Sequence, residues 1–106
     1  MSFTADVQFS SGTATVRLTG ELDSGSAPRL EDVIQEVSGH DVHRLVFALE
    51  GLSYLSSAGL RCLVFAEQKM PPGVPIILTG PQPDVAETIR LTGFDRSVQI
   101  EGSASA

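Results

Sequence analysis

The sequence predicts an α/β domain whose mixed sheet opens with a hairpin and continues in parallel strands. Three observations carry this expectation. Leu45 to Leu49 and Val74 to Leu78 are short apolar runs of strand length, the kind that parallel sheets bury. Amphipathic helical stripes alternate with them, and a helix between successive strands favours parallel pairing through right-handed crossovers. Ahead of both runs, Ser10-Ser11-Gly12-Thr13 is turn chemistry between two alternating segments, which reads as an antiparallel hairpin.

The first strand is expected over Val7 to Phe9 and the second over Ala14 to Leu18. Ala14, Val16 and Leu18 share one face, while Thr15, Arg17 and Thr19 share a wet one. Gly20 to Gly25 reads as a loop. Ser26 has N-cap chemistry and Pro28 suits a first helical turn. Leu30, Val33, Ile34 and Val37 then follow at helical spacing, and Ser38-Gly39 ends that helix. His43 to Leu49 is the third strand, buried on both faces. Leu60 to Met70 is a second helix, apolar over most of its girth and stopped by Pro71-Pro72-Gly73. Val74 to Thr79 is the fourth strand, with Pro75 near its start where a missing donor is tolerable. A third helix runs from about Asp84 to Thr92, with Val85 and Ile89 inward and Leu91 as a further inward candidate. Gly93 fits its C-terminal cap, with Phe94 folded back on Ile89. Ser97 to Ile100 is a final short strand.

At 106 residues the chain holds one domain, residues 1–106, with a core from about 5 to 100 and a flexible tail over 101–106. A hydrophobic fraction of 42% is enough for a core. The net charge of −6 argues against direct nucleic-acid binding, which needs clustered Lys and Arg. No apolar run approaches a membrane span, and the N-terminal residues lack signal-peptide character. The single cysteine suits a reducing, cytoplasmic setting.

No catalytic, metal or cofactor site is expected. His40 and His43 have only Asp41 beside them, too few ligands for zinc. Cys62 lies in the second helix without a visible base. A hydrolase using Ser57 lacks both a Gly-x-Ser-x-Gly elbow and a partner base, and no phosphate-binding glycine motif occurs. What remains is Ser56-Ser57-Ala58-Gly59-Leu60, set between a buried strand and a helix. Ser57 reads plainly as a helix cap. A phosphate on it would also carry about −1.5 to −2 charge at the positive end of a helix dipole, which is a usable switch.

Taken together, Gly20-Glu21-Leu22-Asp23, Ala27-Pro28-Arg29-Leu30, the run Leu45 to Gly51 with Leu55-Ser56-Ser57-Ala58-Gly59-Leu60-Arg61, and Leu91-Thr92-Gly93-Phe94-Asp95 resemble the STAS domain family of anti-sigma factor antagonists. The resemblance implies a mixed sheet with helices packed mainly on one side. It implies a binding protein and not an enzyme. The unphosphorylated form would sequester an anti-sigma factor with GHKL-type serine kinase activity, and phosphorylation by that kinase, using ATP, would end the capture. A serine phosphatase would restore it. The phosphoacceptor falls on Ser57, with Ser56 as second choice, because Ser56 stands where many members carry Asp.

Loops leaving the second and third strands should emerge at one end of the sheet. The expected partner face is therefore Asp23, Ser24 and Gly25 with Ser56, Ser57, Ala58, Gly59, Leu60 and Arg61. The alternative within the same fold is an unphosphorylated scaffold subunit of a membrane transport or signalling complex.

Overall fold

A computed structural model describes residues 2–102. In chain order the elements are β1 (Phe3–Ser10), β2 (Thr13–Leu22), α1 (Ala27–Ser38), β3 (Arg44–Leu55), α2 (Ser57–Lys69), β4 (Ile76–Thr79), α3 (Pro83–Thr92), a single 3₁₀ turn (Phe94–Arg96) and β5 (Gln99–Glu101). The sheet has five strands in the order β1-β2-β3-β4-β5. β1 and β2 pair antiparallel, and every later pair is parallel. The expected mixed sheet is thus the observed one. Glu101 belongs to β5, so the expected tail is at most Gly102 onward, and residues 103–106 lie outside the described residues.

The hairpin turns on Ser11 (φ 51°) and Gly12 (φ 82°). Positive φ at both central residues is what a tight hairpin with right-twisted strands requires. Three strands run further than expected, β1 among them, which covers Phe3–Ser10 where only Val7 to Phe9 was expected. β2 continues through Gly20 to Leu22, and β3 runs twelve residues through Leu55, where the expected strand ended at Leu49. Register shifts between Arg17 and Thr19 and between Gly20 and Glu21 keep the longer β3 paired with β2. Such irregularities bend a strand without ending it, so turn-like residues there do not mark a loop.

The pairing fixes the two faces of the sheet. Ala14, Val16 and Leu18 lie beside Leu45, Phe47 and Leu49, with Ile76 and Leu78 next in line, and nearly all are fully buried. Onto this face pack Leu30, Ile34 and Val37 of α1, Leu60, Leu63 and Ala66 of α2, and Val85 and Ile89 of α3, all in one core cluster. Helices therefore cover one side. Val33, on the inward stripe read from the sequence, and Val64, in the apolar second helix, are half-buried at its margin.

The opposite face carries Thr15, Arg17, Val46, Ala48 and Ile77 and, among the described residues, no helix. The expected burial of the Leu45–Leu49 run on both faces holds at every residue but Val46. Val46 is half-buried, while Ala48 and Ile77 are shielded within the sheet surface. Leu91, a candidate inward residue, is 70% exposed, because the α3 stripe ends at Ile89. Gly93 closes α3 with φ 80°, as its sequence position implied.

Candidate functional site

The C-terminal ends of β2 and β3 lie side by side. Leu22 pairs with Leu55, and the Ser56 N–H donates to the Leu22 carbonyl at 2.9 Å. The β2–α1 loop and the start of α2 therefore leave the sheet together. Gly59 lets them approach. A Cβ there would fall 2.5 Å from Leu22 Cγ and 3.0 Å from Leu55 Cδ1, both on buried side chains. Only glycine lets the first turn of α2 rest on the strand ends. The structure thus brings the Asp23–Gly25 loop and the Ser56–Arg61 segment to one end of the molecule, with Ser24, Gly25, Ser57 and Arg61 exposed and Gly59 and Leu60 buried beneath.

Asp23 is more than an exposed loop acid. Its Oδ1 accepts from the Gly25 N–H and the Ser26 N–H, each at 3.0 Å, and lies 3.0 Å from Ser26 Oγ. Ser26 Oγ in turn accepts the Asp23 N–H at 2.9 Å. These contacts, chiefly with Ser26, hold the Asp23 carboxyl below its ordinary value. Charged acceptors of backbone amides behave this way. Ser26 occupies the N-cap position of α1 but makes no capping bond to that helix, because its hydroxyl is turned back into the loop. Beside the loop is a crevice of about 270 Å³ lined by Phe3, Glu21, Asp23, Gly25, Ser26 and Arg29.

The capping serine of α2 is Ser56, not Ser57. Ser56 is extended (φ −85°, ψ 171°), and its Oγ accepts the Gly59 N–H at 3.1 Å. Its carbonyl takes the Leu60 N–H at 2.9 Å. Ser57 is the first helical residue, exposed. The amides of Ser57 and Ala58 precede the first intrahelical bond and have no acceptor within the helix. A charged group on Ser57 Oγ would sit beside these donors and the positive helix end.

Other chemistry-bearing residues fall elsewhere. Cys62 is buried, its Sγ 3.5 Å from the Ala27 carbonyl and 3.9 Å from Glu31 Oε2. Burial, then the Glu31 charge, pushes its thiol up to about 11, the reverse of an activated nucleophile. His40 and His43 are at the far end of the sheet, His40 stacked on Phe9 and His43 3.7 Å from Asp41. Among the described residues no cluster of three or more ligand-type side chains could hold a metal, and no helix is long and apolar enough to cross a membrane. One residue escaped the sequence reading. Tyr54, in β3 beside Glu21 of β2, is 51% exposed just before the Ser56 loop. Its signal was an outward aromatic between the buried Leu52 and Leu55.

The sequence profile described as the STAS domain matches residues 4–105. The anti-sigma-F factor antagonist RsfB of Mycobacterium tuberculosis is 28% identical over 99 residues, covering 93% of this chain and 81% of that protein. A crystal structure of an anti-sigma factor antagonist from Mycobacterium paratuberculosis is 28% identical with a TM-score of 0.89, covering 98% of this chain and 89% of that one. The anti-sigma factor antagonist SpoIIAA, solved unphosphorylated, shares the fold at 19% identity and a TM-score of 0.72, covering 93% and 86% of the two chains.

Proposed function

The chain belongs to the STAS domain family, and on that premise we propose that it is an anti-sigma factor antagonist switched by phosphorylation of Ser57. The observation that carries this reading is the Ser57 hydroxyl. It is exposed on the first turn of α2, next to two amides without helical acceptors and beside the Asp23 loop. Two relatives of nearly full-length coverage bear the name of anti-sigma factor antagonists.

In the unmodified state the Asp23–Gly25 loop and the Ser56–Arg61 segment form the surface that captures an anti-sigma factor with GHKL-type serine kinase activity. The sigma factor is thereby freed. In the kinase reaction Ser57 Oγ attacks the γ-phosphorus of ATP, the bond to the β-phosphate oxygen breaks, ADP leaves, and the hydroxyl proton passes to a base of the kinase. The product carries a dianion where the partner docked. Desolvating that charge opposes binding, while the free amides accommodate it without unfolding the domain. A serine phosphatase resets the switch by hydrolysis.

Ser56 in place of the more usual Asp leaves this reading intact, because Ser and Asp cap helices comparably. With Ser56 Oγ engaged at Gly59 and half-buried, Ser57 is the better acceptor. The test is incubation with the cognate anti-sigma factor kinase and ATP, then intact mass and site mapping. One phosphate on Ser57, lost in Ser57→Ala, supports the assignment. Modification on Ser56 alone moves it by one residue, and no modification leaves only the fold.

A further inference from the structure

The sheet has two edges of different character. β5 is three residues long, too short to template a partner. β1 is eight residues, Phe-Thr-Ala-Asp-Val-Gln-Phe-Ser, with no proline, no lysine and a single charge. Natural edges are normally blunted by such residues, and this one is not.

The backbone of β1 shows which groups are free. The Glu21 N–H donates to the Ser2 carbonyl, in the same register that pairs Phe3 with Gly20. In an antiparallel ladder alternate residues face the partner strand. Thr4, Asp6 and Gln8 therefore point their N–H and C=O groups at β2, whereas Phe3, Ala5, Val7 and Phe9 point theirs outward. The Phe3 carbonyl is already occupied by the Arg29 guanidinium at 2.7 Å. The open stretch is Ala5 to Phe9.

We propose that this edge pairs with β1 of a second copy of the chain, antiparallel, across a two-fold axis through Val7. A two-fold axis can pass through any residue of the edge, but centring on Asp6 would set two Asp6 carboxylates opposite each other and Phe9 against the occupied Phe3, and centring on Gln8 would set Ala5 against the Ser11 turn. Centring on Ala5 would need the Phe3 groups, and centring on Phe9 would run into the Ser11–Gly12 turn. Only Val7 leaves every partner free. It exchanges bonds with its counterpart, and Ala5 of each copy exchanges them with Phe9 of the other. The side chains fit the same register. On the helix side, Phe9 is 42% exposed and held by a stack on His40 at 4.2 Å, ready to lie over the small Ala5 of the second copy. On the open side, Asp6 would face Gln8, not another Asp6, and keeps its own neighbour Arg17. Like charges directly opposite are thus avoided. The two copies of Ser57 point to opposite ends of the joined sheet, so the pairing makes the protein bivalent for its partner.

Sedimentation equilibrium of the full chain over a concentration series, with two kinds of variant, tests this. The wild type should show a monomer–dimer equilibrium. Val7→Pro removes an N–H that β2 does not use, so the dimer should be lost with an unchanged circular dichroism spectrum. Val7→Cys places thiols on the axis, where Cα atoms about 5.5 Å apart suit a disulfide. It should cross-link on mild oxidation, and Asp6→Cys should not. Buried Cys62 stays out of the reaction. A wild type that remains monomeric throughout, a dimer unaffected by Val7→Pro, or equal cross-linking of the two cysteine variants would overturn the proposal.

Discussion

Two adjacent serines at the start of α2 divide the work, and the division is measurable. Ser56 caps the helix and Ser57 presents a free hydroxyl. Ser56→Ala should therefore lose about 1 kcal/mol of stability, while Ser57→Ala should melt close to the wild type. Equal losses in thermal unfolding would show that the cap is shared. Asp23 gives a prediction of another kind. Its carboxyl is held below the ordinary 3.8 by its bonds to Ser26 and Gly25. A depressed acid contributes stability above its unfolded value and loses it as pH falls through the folded one. Asp23→Ala should accordingly melt below the wild type at neutral pH, and the gap should narrow as the pH is taken below 3.8. A gap independent of pH would mean that the carboxylate bonds contribute nothing. Because Asp23 organises its own loop, lost partner binding in this variant also reports loop rearrangement.

At the scale of elements, the starts of α1 and α3 and the buried strands were legible, while the start of α2, at Ser57 and not Leu60, and the strand ends were not. Pro28, Pro71-Pro72-Gly73 and Gly93 each fixed a boundary within a residue or two, since proline and positive-φ glycine act locally. Gly20 misled, because it looks like a turn residue and lies inside a strand held by long-range pairing, and the same pairing carries β3 past Leu49 through Gly51. Pairing is a property of two segments, and no local pattern in either one states it. The cap assignment failed for a related reason. With two serines in a row, sequence gives the motif, but backbone geometry decides which is extended. Gly59 carries the consequence. Gly59→Ala forces a methyl against Leu22 and Leu55. Overpacking of this kind costs typically about 1–3 kcal/mol. It should also shift the amide resonances of Ser56 to Leu60, and an unshifted spectrum with unchanged stability would mean that the strand ends give way easily.

For the molecule as a whole, one core face under three helices sets both stability and presentation of the loops. Ile77 lies on the opposite face, yet is only 2% exposed. Ile77→Asp should unfold the domain, because an unpaired buried charge costs several kcal/mol against a total of about 5–15. Val46→Asp, at a half-buried site on the same face, should be milder, and identical losses would mean that Val46 is as fully shielded as Ile77. The central claim is that Ser57 switches a binding surface without switching the fold. Calorimetric titration of the cognate anti-sigma factor with stoichiometrically Ser57-phosphorylated protein, alongside the unmodified protein, tests it most directly. The account predicts that phosphorylation abolishes most of the affinity while circular dichroism and melting stay nearly unchanged; full binding by the phosphorylated protein, or its unfolding, would contradict it.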